Sequence, residues 1–509
     1  EGNSTILALD VVDVEASGVD VDVRPSGPGG CGCAGSSGRP QLDVYEPRDT
    51  PVHAPLSLAM LLFACPLALG VYIDNTSPRH DERGVVMDIH DGGLFRADGQ
   101  YWYYGIGYQN CTLERIYMPP QYCVGVYQPF GGCGFREDHT LPVYSSSDLV
   151  RWRYEGDALP FDARPRGIYF RPKVIFDART GDYVLWINYL RQSPRSAFPA
   201  GNTPLQSYMS NISTIVAKAR SPRGPFAVVN PWARLQVAHV GDFALIVGRD
   251  GTSAYIAYDA WDNGHRVRVE RLNDAWTETA SMDATDARST SGDVSEADVE
   301  APILFERRGW YYLIYGSTCC FCAEGGSAVV MAAREPLGPW RRVGNINPWN
   351  EETGCGRPVP TQNNFVATVA TAAGDVEYLF MGDLWTTAPD GLKSHDLQYW
   401  APLRFDDGES TYRGSHSPPT IQPLVWRDGF ELDVEGAAPG AAAPVVATGP
   451  FRTGSGLPRI RANQQSCSHS GTFEAWLLAL IAAGAAAVVV ACVPCCRACC
   501  RRRSGVPLR

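Results

Sequence analysis

The chain has 509 residues, 45% of them hydrophobic, enough to bury a large core in one domain or in several. Its formal charge of −11 and pI near 5.4 provide no basic surface for nucleic acid, so no nucleic-acid partner is expected. Gly, Pro, Trp and Tyr are plentiful and long helical periods are few, which favours an all-β fold.

Residues 1–55 are acidic, with a Gly/Ser/Pro-rich middle and no sustained apolar period, and read as a disordered, low-complexity segment. Leu56–Ile73, LSLAMLLFACPLALGVYI, is an apolar run of signal-peptide length interrupted by Pro66. A signal peptide is the preferred reading, with an uncleaved signal anchor as its rival. Cys111, Cys123, Cys133, Cys319, Cys320, Cys322, Cys355 and Cys467 fall in the globular part or just after it. Together with the sequons at Asn75, Asn110 and Asn211 they suggest a glycoprotein of a secretory compartment with disulfides, whose connectivity the spacing does not give.

From Asp88 to about Asp407, within a domain expected at 85–432, one unit is repeated five times: a short apolar strand with a polar or charged lead residue, a Gly turn, then a strand dense in Tyr, Trp or Phe. The five are DIHDGGLFRADGQYWYYGIGY, FRPKVIFDARTGDYVLWINYL, GDFALIVGRDGTSAYIAYDA, EAPILFERRGWYYLIYGS and QNNFVATVATAAGDVEYLFMGDL. Three also share outer-strand text, VYSSSDLVRWRYEG, AKARSPRGPFAVV and MAAREPLGPWRRV. A spacing of roughly 60–80 residues leaves room for four strands per unit and predicts a five-bladed β-propeller. A β-sandwich of similar hairpins would not also repeat the turn and its tail.

Residues 433–472 are Ala/Gly/Pro-rich and read as a stalk. Phe473–Val493, FEAWLLALIAAGAAAVVVACV, has no charge after Glu474 and is long enough to cross a bilayer as a single transmembrane helix. Arg497 and Arg501–Arg503 follow, so the tail, 494–509, is expected in the cytoplasm and the propeller in an extracellular or luminal space. The juxtamembrane Cys495, Cys496, Cys499 and Cys500 are palmitoylation candidates.

In a propeller the innermost strands start at a shared centre, so lead residues far apart in sequence meet. Here the lead positions hold Asp91 after His90, Arg171 with Lys173, Asp242 after Gly241, Glu300, and Gln362. Three carboxylates brought together repel one another and lose solvation, a cost that acid–base chemistry makes use of. Arg171 suits neutralising them or binding hydroxyls, and Trp102, Trp186 and Trp385 are candidate sugar-stacking faces, at least two of them expected to be packing residues.

These residues resemble glycoside hydrolase family 43, five-bladed propellers that hydrolyse glycosidic bonds with inversion. His90-Asp91-Gly92 is similar to the family's base motif, Asp242 ahead of Asp250-Gly251 to its second aspartate, and Glu300-Ala301-Pro302 with Tyr311 and Tyr312 to its acid motif. The text RPKVIFDARTGDYVLW, EAPILF and TQNNFV…FMGDLW looks most like the exo-β-1,3-galactanase branch. There a glutamate precedes Arg-Pro-Lys, where this chain has Phe170, and a glutamine resembling Gln362 contacts the reacting centre. The resemblance implies Glu300 as general acid, Asp91 as general base and Asp242 as the residue that keeps the acid protonated. It further implies a contact from Gln362, and His90, Arg171, Trp102 and Trp385 complete the expected substrate-binding set. Inversion sets acid and base about 6.5–9.5 Å apart, with a water between base and sugar. The expected partner is a carbohydrate containing arabinose, xylose or galactose. No cofactor is required, no metal ligand is assigned, and a central structural cation such as calcium is left open. The rival is a membrane-anchored propeller that binds glycan without cleaving it.

Overall fold

A computed structural model describes residues 70–109, 139–191, 212–318, 324–349, 356–407 and 417–437. The architecture follows from the repeated strand–turn–strand text: every unit opens on a long, inward strand whose apolar residues sit between blades. Blade one comprises β2 (His90–Ala97), β3 (Gln100–Ile106), β4 (Pro142–Ser146) and β5 (Arg153–Asp157), paired in that order. Blade two comprises β6 (Gly167–Asp177), β7 (Asp182–Arg191), β8 (Ile212–Ala219) and β9 (Ala227–Ala233). Blade three is β10 (Val240–Val247), β11 (Ala254–Ala260), β12 (Arg266–Arg271) and β13 (Thr290–Asp293), and blade four is β14 (Val299–Arg307), β15 (Trp310–Ser317), β16 (Val329–Ala333) and β17 (Arg341–Asn345). All pairings are antiparallel.

In blade five the described residues form a sheet of three strands, β18 (Gln362–Ala370), β19 (Val376–Leu384) and β20 (Leu397–Pro402), against the four expected. The innermost strands neighbour one another in a closed order, β2 to β6, β10, β14, β18 and back to β2. Five apolar clusters fill the five seams between blades, which is why both faces of the inner strands read as nearly continuous hydrophobic text.

The ring is closed by a strand that sequence reading assigned elsewhere. Val71–Asp74 (β1) pairs antiparallel with Gly429–Leu432, so the end of the apolar Leu56–Ile73 run belongs to the propeller, and the domain begins by Val71 rather than at 85. Val71 and Ile73 are buried between blades five and one while Tyr72 faces solvent. This two-residue alternation is too short to stand out at the end of a longer apolar run.

Asn75 is likewise corrected. It is fully buried, its side-chain amide donates to the carbonyls of Trp400 (2.9 Å) and Arg427 (3.1 Å), and its carbonyl oxygen accepts from the Trp400 N–H (3.0 Å). A side chain committed in this way fastens the closing strand pair and cannot carry a glycan in the folded domain. Asn75→Ala strands three buried backbone groups, and a loss of about 3 kcal/mol is expected, read as a lower urea midpoint with an unchanged slope.

Asn110, Asn211, every cysteine, the 1–55 segment, most of 433–472, and Phe473–Val493 with its tail lie outside the described residues. Among the described residues no helix is long and apolar enough to cross a membrane.

Candidate active site

Each innermost strand carries a β-bulge at its leading end: between His90 and Gly93, Phe170 and Lys173, Val240 and Phe243, Glu300 and Ile303, and Asn363 and Phe365. Asp91, Arg171 and Ala301 take φ of 58°, 55° and 55° there, a left-handed conformation that costs a non-glycine residue energy and re-aims the chain locally. The same irregularity in five blades turns the lead residues toward one another.

The resulting contacts touch all five blades. Arg171 is buried and lies between two carboxylates, Nη2 at 3.1 Å from Asp91 Oδ1 and Nε at 2.9 Å from Asp242 Oδ1, while Nη1 donates to the Asn363 carbonyl at 3.2 Å. The Asp91 N–H donates to Asp383 Oδ2 at 3.2 Å. On the opposite side Gln362 Nε2 donates to Glu300 Oε1 at 2.7 Å, and Trp385 Nε1 donates to Gln362 Oε1 at 2.7 Å. An indole can only donate, so Trp385 fixes which end of the Gln362 amide carries oxygen and leaves its NH₂ for Glu300.

Burial pushes the Asp91 carboxyl up, against the pull of the Arg171 guanidinium; the nearby Asp383 adds to the rise. Asp242 is raised by burial, opposed by Arg171, with Asp91 adding to the rise. Burial works against the Arg171 charge, but Asp242, Asp91 and Glu300 outweigh it and hold the guanidinium protonated. Lys173 is pushed down to about 7 by burial and by Arg171. Its ammonium donates to the Gly92 carbonyl and to Asn364 Oδ1, the latter at 2.7 Å.

The structure therefore brings together Asp91, Arg171, Asp242, Glu300 and Gln362, and relocates other residues of the expected sugar-binding set. Trp102 pairs opposite Phe95 near the far turn of blade one and packs into the seam with blade two, away from the leading ends. Trp186 is buried between blades two and three and donates to the Trp276 carbonyl at 2.9 Å. Trp385 is 1% exposed, so it is a fixed donor behind Gln362 and presents no open stacking face. His90 is enclosed too: Tyr108 and Trp385 lie against its ring, Nε2 meets the Ser394 carbonyl at 3.2 Å, and Nδ1 lies 3.8 Å from Asp383 Oδ1. It supports the site and does not face a ligand. An apolar run marks an aromatic as buried or exposed only through its partners, which here come from other blades.

The sequence description of Glycosyl hydrolases family 43 matches residues 132–371, a span that contains Asp242, Glu300 and Gln362. That match covers the second to fourth blades and the start of the fifth. Among solved structures the propeller is similar to an exo-β-1,3-galactanase from Clostridium thermocellum, at 21% identity over 72% of this chain and 67% of that one, with a TM-score of 0.51. It is also similar to a family 43 β-1,3-galactosidase, at 18% identity over 71% of this chain and 64% of that one, with a TM-score of 0.50. At this level of identity the likeness establishes the fold. No curated protein matches the chain.

The propeller holds further site residues that the repeats did not single out. Asn188, opposite Phe170 in blade two, donates to the carbonyls of Val240 (3.2 Å) and Gly241 (2.7 Å) and so fixes the bulge that presents Asp242. Lys393 lies 4.1 Å from the Trp385 ring centre and 4.5 Å from that of Tyr108, paired with Asp396 at 3.3 Å, and braces the Trp385–Gln362–Glu300 chain of donors from behind. Asp383 had a signal, since it ends the strand facing Gln362, where FMGDL closes the fifth unit. Asn188 and Lys393 had none, because each acts through a contact between blades. Among the described residues no group of three His, Cys, Asp or Glu side chains is arranged to hold a metal ion.

Proposed function

We propose that this propeller is a family 43 glycoside hydrolase domain that hydrolyses O-glycosidic bonds in arabinose-, xylose- or galactose-containing glycans with inversion at the anomeric carbon. The observation that carries the reading is the division of charge at the centre. The Arg171 guanidinium is shared by Asp91 and Asp242, and Glu300, close enough to act on the same guanidinium, accepts from the Gln362 amide. Three ionised carboxylates beside one guanidinium would leave excess negative charge in a poorly solvated site. One of the three therefore retains a proton, and the resemblance of Glu300-Ala301-Pro302 to the family's acid motif assigns it to Glu300.

Glu300 gives its proton to the glycosidic oxygen as the bond to the anomeric carbon breaks. Asp91, whose ionised form Arg171 favours against burial, takes a proton from a water whose oxygen bonds to that carbon from the opposite face. Asp242 discourages ionisation of Glu300 by its charge and accepts from a sugar hydroxyl. A proton passed from Asp91 to solvent and one returned to Glu300 restore the starting state.

Galactose is the first sugar to test, because the Arg-Pro-Lys and Gln362 text is shared with the galactanase branch and the similar solved structures carry galactanase and galactosidase names. Phe170 supports a second reading, since a buried phenylalanine stands where that branch has a glutamate: a propeller that binds glycan without turnover. The two part on one experiment. The protein is incubated with β-1,3-galactan and with aryl β-galactosides, arabinosides and xylosides, and the product anomer is followed by proton NMR. Release of α-anomer first from a β-linked substrate is the expected result. Binding with no release selects the second reading, and β-anomer first overturns inversion. The Phe473–Val493 stretch, without a charge after Glu474 and followed by arginines, supports placing this activity on the extracellular or luminal side of a membrane.

A further inference from the structure

Beside the carboxylates lies a pair of ionisable residues that the reaction above does not use. Asp259, near the end of β11, is 1% exposed, and His265 Nδ1 lies 2.9 Å from its Oδ2. The pair sits at the β11–β12 turn of blade three, against the leading ends of β10 and β14. Trp261 N–H donates to the His239 carbonyl at 3.1 Å just before β10, and the Val299 N–H, next to Glu300, donates to the His265 carbonyl at 3.0 Å. A Cβ at Gly241 would collide with Trp261 Nε1 and Asp259 Oδ2, so the residue before Asp242 has to be glycine for this group to close over it. His265 thus lies against both sides of the site: its partner Asp259 packs on Gly241 next to Asp242, and its own carbonyl accepts from the Glu300 strand.

Its conformation is specific. Gly264 and His265 are both left-handed, with φ of 67° and 54°, a strain the surrounding contacts have to hold. The ring packs against Trp261 with centroids 5.2 Å apart, and the His265 side chain is 35% exposed. Nδ1 is turned inward to a buried carboxylate, so Nε2 occupies the opposite, exposed edge, and among the described residues it has no hydrogen-bond partner. A carboxylate that receives the Nδ1 proton leaves Nε2 of the neutral ring as an acceptor of fixed direction. The hydrogen bond to Asp259 favours the charged ring against burial, and Glu300 and Asp298 act in the same sense, which places those carboxylates close by.

We infer that His265 is a substrate-binding residue, whose Nε2 hydrogen-bonds a hydroxyl of the sugar held between Asp242 and Glu300, with Trp261 as the apolar wall beside that sugar. The assignment supplies a sugar contact in place of those that Trp102, His90 and Trp385 do not make. It rests on the carbohydrate reading of the site but not on turnover.

The test follows the histidine directly. Full-length protein labelled with ¹⁵N at histidine is titrated with D-galactose, L-arabinose and D-xylose in turn. The His265 resonances are assigned by their loss in His265→Gln. The expected result is a change of several ppm at Nε2, with a smaller one at Nδ1, on saturation by at least one sugar. On the substrate that is cleaved, His265→Ala is expected to raise KM about tenfold with kcat within about threefold, and His265→Gln, whose amide reaches the same position, to recover part of the loss. A sugar that binds and perturbs other resonances while Nε2 stays still overturns the inference and leaves the hydrolase reading intact. Movement of Nε2 in a protein that cleaves nothing upholds the inference while the hydrolase reading fails. Failure of all three sugars to bind overturns both.

Discussion

Glu300→Gln is expected to lower kcat/KM on a sugar-linked substrate by about 10³-fold while leaving the fold and the melting temperature nearly unchanged, because a general acid contributes about 10²–10⁴. The carboxamide preserves the geometry. Its oxygen accepts from Gln362 Nε2 as Glu300 Oε1 does at 2.7 Å, and Trp385 still fixes the Gln362 amide through its own 2.7 Å bond. What it lacks is a proton of useful acidity for the leaving oxygen. The defect therefore has to scale with how much the leaving group needs that proton. A 2,4-dinitrophenyl glycoside departs unprotonated and loses little rate, whereas an alkyl or sugar leaving group loses nearly the full factor. Parallel kinetics on the two substrates separate the roles: an equal loss on both removes Glu300 from the acid position, and no loss on either removes it from the reaction.

Much of this arrangement was legible in the residues. Five copies of a strand, a Gly turn and an aromatic strand gave the blade count, and the lead residues Asp91, Arg171, Asp242, Glu300 and Gln362 do meet at the centre. Period and punctuation are local properties, and a repeat converts them into a global arrangement because every copy must occupy an equivalent place. The parts that escaped are those decided by contacts between copies. Trp102 and Trp385 carry the same side chain in similar aromatic text, yet one packs a seam far from the centre and the other orients a glutamine. The closing strand Val71–Asp74 was hidden because four residues complete it and its partner is more than 350 positions away. Asn75 carries a perfect sequon and is nevertheless buried, since a sequon records three residues and says nothing of the carbonyls of Trp400 and Arg427.

The centre itself turns on Arg171, and its replacement by methionine is expected to be the most disruptive single change in the site. The guanidinium is buried and holds Asp91 at 3.1 Å and Asp242 at 2.9 Å. Removing it strands two buried carboxylates, and breaking a buried ion pair costs about 3–5 kcal/mol, which in a domain of this size is a melting temperature lower by roughly 5–10 °C. The loss is pH-dependent in a definite sense. Burial already raises both carboxyls and Arg171 opposes the rise, so without it each folded-state pKa moves further above its unfolded value. Between the unfolded and the new folded values the native variant binds more protons than the unfolded chain, so its stability increases as pH falls through that interval. The deficit relative to the natural protein should accordingly be largest near pH 7 and shrink toward pH 5, although activity stays absent because a protonated Asp91 cannot take a proton from water. Arg171→Lys keeps a charge but not the fork that reaches both carboxylates, and falls between the two in stability. Melting curves of the three proteins at pH 5 and pH 7 decide the matter: a deficit that does not change with pH would mean that the two carboxylates are not what Arg171 stabilises.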